Sequence, residues 1–341
     1  MDPLSDVLDL SRVSVALMVS VRACAPWGLD LPQRPGASFH AITSGTAWLR
    51  VGDSEPLQLM PGDVFLLPAG ARHRLSSEPE GRCVPFDSSL HERPMTPDGD
   101  LTLGASGAAT TFVCAAFDYD LEVGEPLMGL LPPVIHVPAD PVAGRDVAAI
   151  VELLAMEVGA RRPGSRAAAA RLIDSLLIAA IRNWIDRQAD GQAPSWLRAL
   201  RDPALARVLA ALHERPAEPW TVESLAREVH VSRATLARRF AEVVGEPPLT
   251  YLARWRMHLA AQRLKYSTDT VEAIAREVGY TSAYAFNRAF ARHRGQPPGR
   301  YRRLASAASP SSRRMWWARR QSLRATDRQA RLWSIRAATC R

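Results

Sequence analysis

The sequence predicts a multidomain α and β protein. An N-terminal β-barrel of the jelly-roll kind is followed by a helical middle segment. A C-terminal all-α domain then holds two helix-turn-helix units. Three observations lead there. One pattern of helix, turn and capped helix occurs twice between Trp220 and Arg303. Short strands broken by Pro and Gly fill the stretch from Trp27 to Phe117, which suits a double-sheet barrel. Positive charge gathers late in the chain: residues 218–303 hold 15 Lys and Arg against 8 Asp and Glu, and residues 305–341 hold 9 against one. The remainder is mildly acidic, so nucleic-acid binding would be confined to one part of the chain.

Taken in order, residues 1–25 open with an amphipathic piece (Leu4, Val7, Leu8, Leu10). From Arg12 to Arg22 the alternation of Val13, Val15, Leu17, Val19 and Val21 predicts a half-buried strand. Phe39 to Val51 reads as strand, turn, strand, and Leu57 to His73 adds a turn at Pro61, Gly62 and Asp63 and one more strand. Leu127 to Val137 is apolar, but Pro132 and Pro133 bar a continuous helix. Two helices follow, Asp146 to Gly159 and a second capped by Ser165 that runs to about Gln188. On the second, Leu172, Leu176, Ala180 and Trp184 fall four apart, and so do Ile173, Leu177, Ile181 and Ile185. Such a broad apolar stripe can pack on the barrel or pair with a second subunit.

Asp190 to Asp202 reads as a polar hinge. A helix from Pro203 to His213 opens the C-terminal domain, and Pro247 and Pro248 end its first unit. Leu249 to Leu264 forms the long helix between the units. Beyond Arg303 the chain turns Ser-, Ala- and Pro-rich and then Arg- and Trp-rich, the composition of a solvated, disordered basic tail that can add phosphate contacts. The expected divisions are 1–125, 126–190, 203–304 and the tail 305–341.

The two repeated units span about 221–241 and 270–291. Each begins with a short helix (Val222, Leu225, Ala226, Val229; Val271, Ile274, Ala275, Val278), followed by a tight turn and a Ser that can cap a second helix (Ser232; Ser282). Apolar residues four apart follow: Leu236 and Phe240; Phe286 and Phe290. A helix-turn-helix lays its second helix in the major groove, and two such helices on one rigid connector can enter successive groove turns roughly 34 Å apart. With the apolar pairs inward, Arg233, Ala234, Ala237 and Arg238 face outward on the first reading helix. Ala283, Tyr284, Asn287 and Arg288 do so on the second. Arg can donate two bonds to guanine, Asn can pair with adenine, and Ala can touch a thymine methyl. Ser232, Ser282 and Thr281 can bond phosphates.

Ile274-Ala-Arg-Glu-Val-Gly-Tyr-Thr-Ser282, then Phe286-Asn-Arg-Ala-Phe290, then Gly295-Gln-Pro-Pro-Gly-Arg-Tyr-Arg302 resembles the signature of the AraC/XylS transcription regulators. The resemblance spans about Asp202 to Arg303. It implies a sequence-specific regulator of double-stranded promoter DNA, with activation favoured over repression and RNA polymerase as a partner of any activator. It further implies that the helical middle segment dimerises, giving a homodimer, and that Arg238 and Arg288 occupy positions reaching base edges. The spacing of Pro61-Gly-Asp63, Leu67-Pro-Ala-Gly70 and His73 looks like the second motif of the cupins, which makes the N-terminal barrel a cupin-like sensor for a small-molecule or redox signal. His40 stands where the first cupin motif begins, but Ile42 replaces its second His and no matching Glu follows. His40 and His73 are thus weak metal candidates, two imidazoles where zinc or iron wants at least three ligands. A metal-free sensor is expected, with no cofactor and no catalytic residue. The alternative is a metal-dependent cupin enzyme with an accessory DNA-binding domain.

Cys24, Cys83, Cys114 and Cys340 form no CxxC and no zinc-finger spacing. Arg22 and Arg82 lie near Cys24 and Cys83, and a switch through oxidation of Cys24 with Cys114, or of one of them with Cys83, is the redox expectation. Buried filler is its alternative. The N-terminus is acidic where a signal peptide needs basic residues, and no apolar run approaches a membrane span. A cytoplasmic protein with reduced thiols is expected.

Overall fold

A computed structural model describes residues 3–86, 101–104, 106–120, 124, 128–140, 144–160, 162–187 and 196–305. The basic tail beyond residue 305 lies outside them. The chain divides into two compact units, Met1–His213 with Val222–Pro248, and Glu214–Thr221 with the chain from Leu249 onward.

In the first unit helix α1 (Pro3–Ser11) precedes strands β1 (Ser14–Cys24), β2 (Gly28–Leu31), β3 (Ala37–Ser44), β4 (Ala47–Val51), β5 (Leu57–Leu59), β6 (Val64–Leu67), β7 (His73–Ser76), β8 (Val84–Pro85), β9 (Leu101–Gly104), β10 (Ala109–Asp118) and β11 (Ile135–Val137). They form two sheets, ordered β11-β6-β3-β10-β1-β9 and β5-β4-β7-β2-β8. The sheets face each other across one apolar core. Val21, Ala23, Ile42, Phe65, Leu67 and Phe112 come from the larger sheet, and Leu29, Leu49, Leu59 and Leu75 from the smaller. The two sheets form a sandwich, not the closed barrel expected from the sequence. Among the described residues the ladders join no strand of one sheet to a strand of the other.

Two elements differ from expectation, and one expected pair of strands takes a pairing that the sequence did not specify. The strand expected from Arg12 to Arg22 is Ser14–Cys24, and its alternation breaks at a bulge between Val15 and Leu17. Leu17 is left 45% exposed. Phe39 to Val51 does hold two strands, but β3 and β4 join different sheets, so the turn between them is a corner and not a hairpin. The segment containing Pro132 and Pro133 ends in β11, which pairs with β6 and extends the larger sheet beyond residue 125. Its three alternating residues are too few to read as a strand from periodicity.

Helices α2 (Arg145–Ala160) and α3 (Ser165–Arg187) pack on each other and on the outer face of the larger sheet. The two rows of α3 merge into one buried stripe, with Ile173, Leu176, Leu177, Ala180, Ile181 and Ile185 inside. Packing on the sheet consumes that face. Ser165 is not the cap: it is the first helical residue, and the Gly164 carbonyl accepts from Ala167 and Ala168. The Ser165 hydroxyl instead donates to Glu157 at 2.8 Å and accepts from the Arg162 amide at 3.1 Å, clamping the α2–α3 turn.

The expected hinge from Asp190 to Asp202 contains a helical turn, α4 (Trp196–Ala199), with Trp196, Leu197 and Ala199 buried. Its apolar anchors outweigh its polar neighbours. Helices α5 (Pro203–Glu214), α6 (Val222–Glu228) and α7 (Arg233–Val244) complete the first unit. Asp202 caps α5 through the amides of Ala204 and Leu205, at 3.0 and 3.3 Å.

The second unit holds α8 (Pro248–Tyr266), α9 (Val271–Glu277) and α10 (Ala283–Arg294), with residues 298–305 also helical. Met257, Ala260, Ala261 and Leu264 of α8 share a core with Ile274, Ala275, Val278, Phe286, Phe290 and Tyr301. Arg256 pins residues 214–221 to α8 by donating to the carbonyls of Pro216 at 2.6 Å and Glu218 at 2.8 Å. Gly279 turns the chain with φ +85°, and a Cβ there would lie 2.7 Å from Ala217 Cα and 2.8 Å from its carbonyl. Both handedness and space require Gly. Gly279→Ala is expected to destabilise the second unit by more than about 2 kcal/mol, the strain of a left-handed residue plus a backbone collision. Gly52→Ala, with φ +56° and nothing within 4 Å, should lose only about 1 kcal/mol. Denaturant unfolding of both variants checks this.

Candidate nucleic-acid interface

Each reading helix is fixed by one buried stripe. On α7, Leu236, Phe240 and Val244 are buried; on α10, Phe286, Ala289 and Phe290 are buried. In the second unit Tyr280, Phe286, Phe290 and Tyr301 form a chain of rings, with successive centroids 5.6, 5.7 and 5.4 Å apart. Edge-on and tilted aromatic pairs add specific geometry to apolar burial. Both helices start and stop as their sequences dictate. Ser232 accepts from the Thr235 amide at 3.1 Å and Ser282 from the Ala285 amide at 3.4 Å. Gly245 (φ 90°) and Gly295 (φ 69°) end them in the left-handed conformation.

Opposite those stripes lie the expected reading residues. Ser232, Arg233, Ala234 and Arg238 are exposed on α7, while Ala237 is half-buried. On α10, Tyr284, Asn287 and Arg288 are exposed with Ser282, and Ala283 is half-buried. Counting back from Phe240 and Phe290, Arg238 and Arg288 hold the same register. Arg238 Nη1 donates to both oxygens of Glu242, at 3.1 and 3.2 Å. The Arg288 guanidinium sits 5.9 Å from the centre of the Tyr284 ring, and Tyr284 is itself 72% exposed. Arg239, beside Arg238, turns away and pairs with Asp202 at 2.6 Å, tying α7 to the start of α5. Sequence reasoning missed Glu242 and Asp202. The Arg-to-Glu spacing of four was the available signal for the first; the second is a tertiary pairing with no local signal.

Beneath α10, His258 accepts from Arg294 Nη2 at 3.1 Å. Burial, aided by Arg294, Arg254 and His293, lowers its pKa to about 3. This His stays neutral in the folded unit.

The sandwich interior brings together other expected residues. His40 of the larger sheet meets His73 of the smaller, with Nε2 atoms 2.9 Å apart. Cys114 Sγ lies 2.9 Å from His40 Nδ1, and His73 Nδ1 lies 2.8 Å from the Ala71 carbonyl. A carbonyl only accepts, which orients the whole chain: Cys114 S–H to His40, His40 N–H to His73, and His73 N–H to Ala71. Every member is neutral in this arrangement. Burial enforces it, pushing His40 well below and His73 below the usual imidazole range and raising the Cys114 thiol. Cys114 and His73 engage opposite nitrogens of His40, so the three do not converge on one point. Among the described residues no group of three His, Cys, Asp or Glu is arranged to hold a metal ion.

Cys24 and Cys114 are not placed to pair. Cys114 lies opposite Val19, and Cys24 stands five residues farther along β1 on the other face of the sheet. That is about 17 Å of strand, far beyond the reach of a disulfide. Cys83 is half-buried near Gly28, its Sγ 3.4 Å from the Gly81 carbonyl, and burial raises its pKa. On the larger sheet, Asp63 anchors the Pro61-Gly62-Asp63 turn that leads into β6. Burial opposes its charge, but hydrogen bonds from His136 and from the Met60 and Ala139 amides outweigh that and hold the carboxyl below its usual range.

The chain is also similar to known proteins. The Cupin family profile matches residues 2–186, and the Helix-turn-helix domain profile matches residues 225–304. A putative AraC-like transcription regulator of Streptomyces lividans is 36% identical over 304 residues, 89% of this chain and 98% of that protein. The chain belongs to the AraC-like family of transcription regulators. Another relative, the RCS-specific HTH-type transcriptional activator RclR of Escherichia coli, is 30% identical over 315 residues, covering 91% and 100% of the two chains. The crystallised DNA-binding domain of AdpA in complex with a target DNA matches 32% of this chain and 98% of its own, at 34% identity and a TM-score of 0.31. Like its AraC-like relatives, this chain is a DNA-binding transcription regulator with a sheet-rich cupin region and a helical reading domain. No described helix is long and apolar enough to cross a membrane.

The neutral His258 predicts an acid limit for the reading domain. Below about pH 6.5 the unfolded chain takes up a proton that the folded chain refuses. The stability contribution is therefore complete above pH 6.5 and is lost as pH falls toward about 3. At pH 5 the loss is at most about 2 kcal/mol. His258→Gln, which keeps an acceptor for Arg294, should flatten the acid limb between pH 7.5 and 5 in denaturant unfolding. An unchanged pH slope would contradict it.

Proposed function

We propose that this regulator reads promoter DNA with the outward faces of α7 and α10, with Arg238 and Arg288 reaching base edges. The observation that carries the reading is the shared register: each helix buries its Phe and presents an exposed Arg two residues earlier. Ser232, Arg233, Ala234, Ala237, Ser282, Ala283, Tyr284 and Asn287 surround these two as methyl, phosphate and polar contacts. The cupin region receives the signal and biases how the reading domain engages DNA, since a signal acts only through unequal affinity for two arrangements. A direct Cys24–Cys114 disulfide is not part of this mechanism. Activation is the proposed output, supported by the name of the E. coli relative, and RNA polymerase is then the further partner. The working compartment is the cytoplasm, where promoter DNA lies.

A homodimer is the proposed assembly. Because the stripe of α3 is buried, the pairing face falls to the outer side of α2, where Ala149, Leu153, Met156 and Ala160 recur with heptad spacing and are exposed. Leu153 and Met156 are 47% and 58% exposed. Two antiparallel copies would set Leu153 of each against Met156 of the other.

Arg238→Ala is expected to weaken binding to a selected duplex by about 1–3 kcal/mol and to relax the preference at one base position. Quantitative gel shifts on single-base variants of that duplex measure both. An equal loss on every sequence would make Arg238 a phosphate contact. Leu153→Glu should convert a dimer to monomer in sedimentation equilibrium; an unchanged mass would place the pairing face elsewhere.

A further inference from the structure

Glu242 is a carboxylate on a surface that would meet a polyanion. It lies four residues after Arg238 and eight after Ala234, on the same outward stripe of α7. A single nitrogen of Arg238, Nη1, makes both contacts to it, at 3.1 and 3.2 Å. The three N–H groups on Nη2 and Nε take no part in that pair, and they form an edge that can still donate two parallel bonds to guanine. The other reading helix is built differently. At the position matching Glu242 it carries Arg292, which is exposed, and its Arg288 rests near Tyr284 instead of a carboxylate.

We propose that Glu242 is a specificity-determining residue of the first reading helix. Resting on the proposed reading in which Arg238 touches a base, it acts in two linked ways. It holds the guanidinium on the reading face with its free edge outward. It also cancels the charge that would otherwise make Arg238 a good partner for any phosphate. A phosphate needs only a positive charge, whereas a guanine edge needs the donor geometry that the pair leaves intact. Repulsion aimed at the wrong site is a standard route to discrimination, because specificity is a difference between two affinities. The second helix, with Arg292 in this place, lacks the device and binds phosphates without penalty.

The test uses the full chain and two duplexes: one recovered by in vitro selection from a randomised library, and a scrambled duplex of the same composition. Glu242→Gln keeps the length and an acceptor oxygen but removes the charge, and both partners of the exposed pair tolerate solvent. Binding to the scrambled duplex should rise on the order of five- to tenfold, with the salt slope steeper by about one. Binding to the selected duplex should change by less than about twofold, so the specificity ratio falls several-fold. In an Arg238→Ala background the same substitution should raise both affinities alike and leave the ratio unchanged.

Equal gains on both duplexes in the wild-type background would overturn the proposal, since Glu242 would then count only as net charge. A ratio that still falls in the Arg238→Ala background would overturn it too, by showing that Glu242 acts without Arg238. If Arg238→Ala alone leaves the ratio untouched, the underlying reading fails, and it fails on a different variant. Thermal midpoints matching the parent protein confirm that each variant is folded.

Discussion

Burial of one stripe of each reading helix is the constraint on which the rest of the domain depends. Leu236 and Phe240 on α7 and Phe286 and Phe290 on α10 are at most 1% exposed. A helix held by residues four apart has no rotational freedom, so whatever lies opposite must face solvent. Arg238 and Arg288 are outward because their Phe neighbours are inward. The supporting shell reinforces this on each helix separately: Arg239 ties α7 to Asp202, and the rings of Tyr280 and Tyr301 flank the pair on α10. The caps then set where each helix begins, which fixes the first outward residue on each face.

Much of this was legible in the sequence because helical periodicity and caps are local. Ser232, Ser282, Gly245 and Gly295 declare the ends of α7 and α10 without help from any distant residue. Features that depend on distant partners were not legible. β11 is three residues long and becomes a strand only because β6 offers it an edge. The apolar stripe of α3 could have faced a sheet or a second subunit, and periodicity carries no sign of which. Gly164 took the capping role expected of Ser165 because the Ser hydroxyl had a better use across the turn, to Glu157. The bulge at Val15 changed which valines of β1 point inward, and one extra residue is invisible to an alternating pattern.

The interior of the cupin region shows how position changes chemistry. By sequence, Cys114 was one of a pair of thiols and His40 a remnant of a metal site. In the fold they are successive links of one neutral hydrogen-bonded chain that crosses from one sheet to the other through His73. Burial satisfies the polar atoms by pairing them instead of charging them. The thiol there is a donor, and the conditions for a reactive thiolate are missing. Arg238 is the opposite case, a charge kept in water with its carboxylate partner beside it.

The two outward helix faces, each with an Arg in the same register, are proposed to select particular promoter sequences. Genome-fragment binding by the full chain at physiological salt tests this most directly. A short set of fragments sharing one sequence pattern, with occupancy reduced by Arg238→Ala and by Arg288→Ala, is the predicted result. Even occupancy of all fragments, falling with salt and indifferent to either substitution, would contradict it and leave a basic protein that coats DNA.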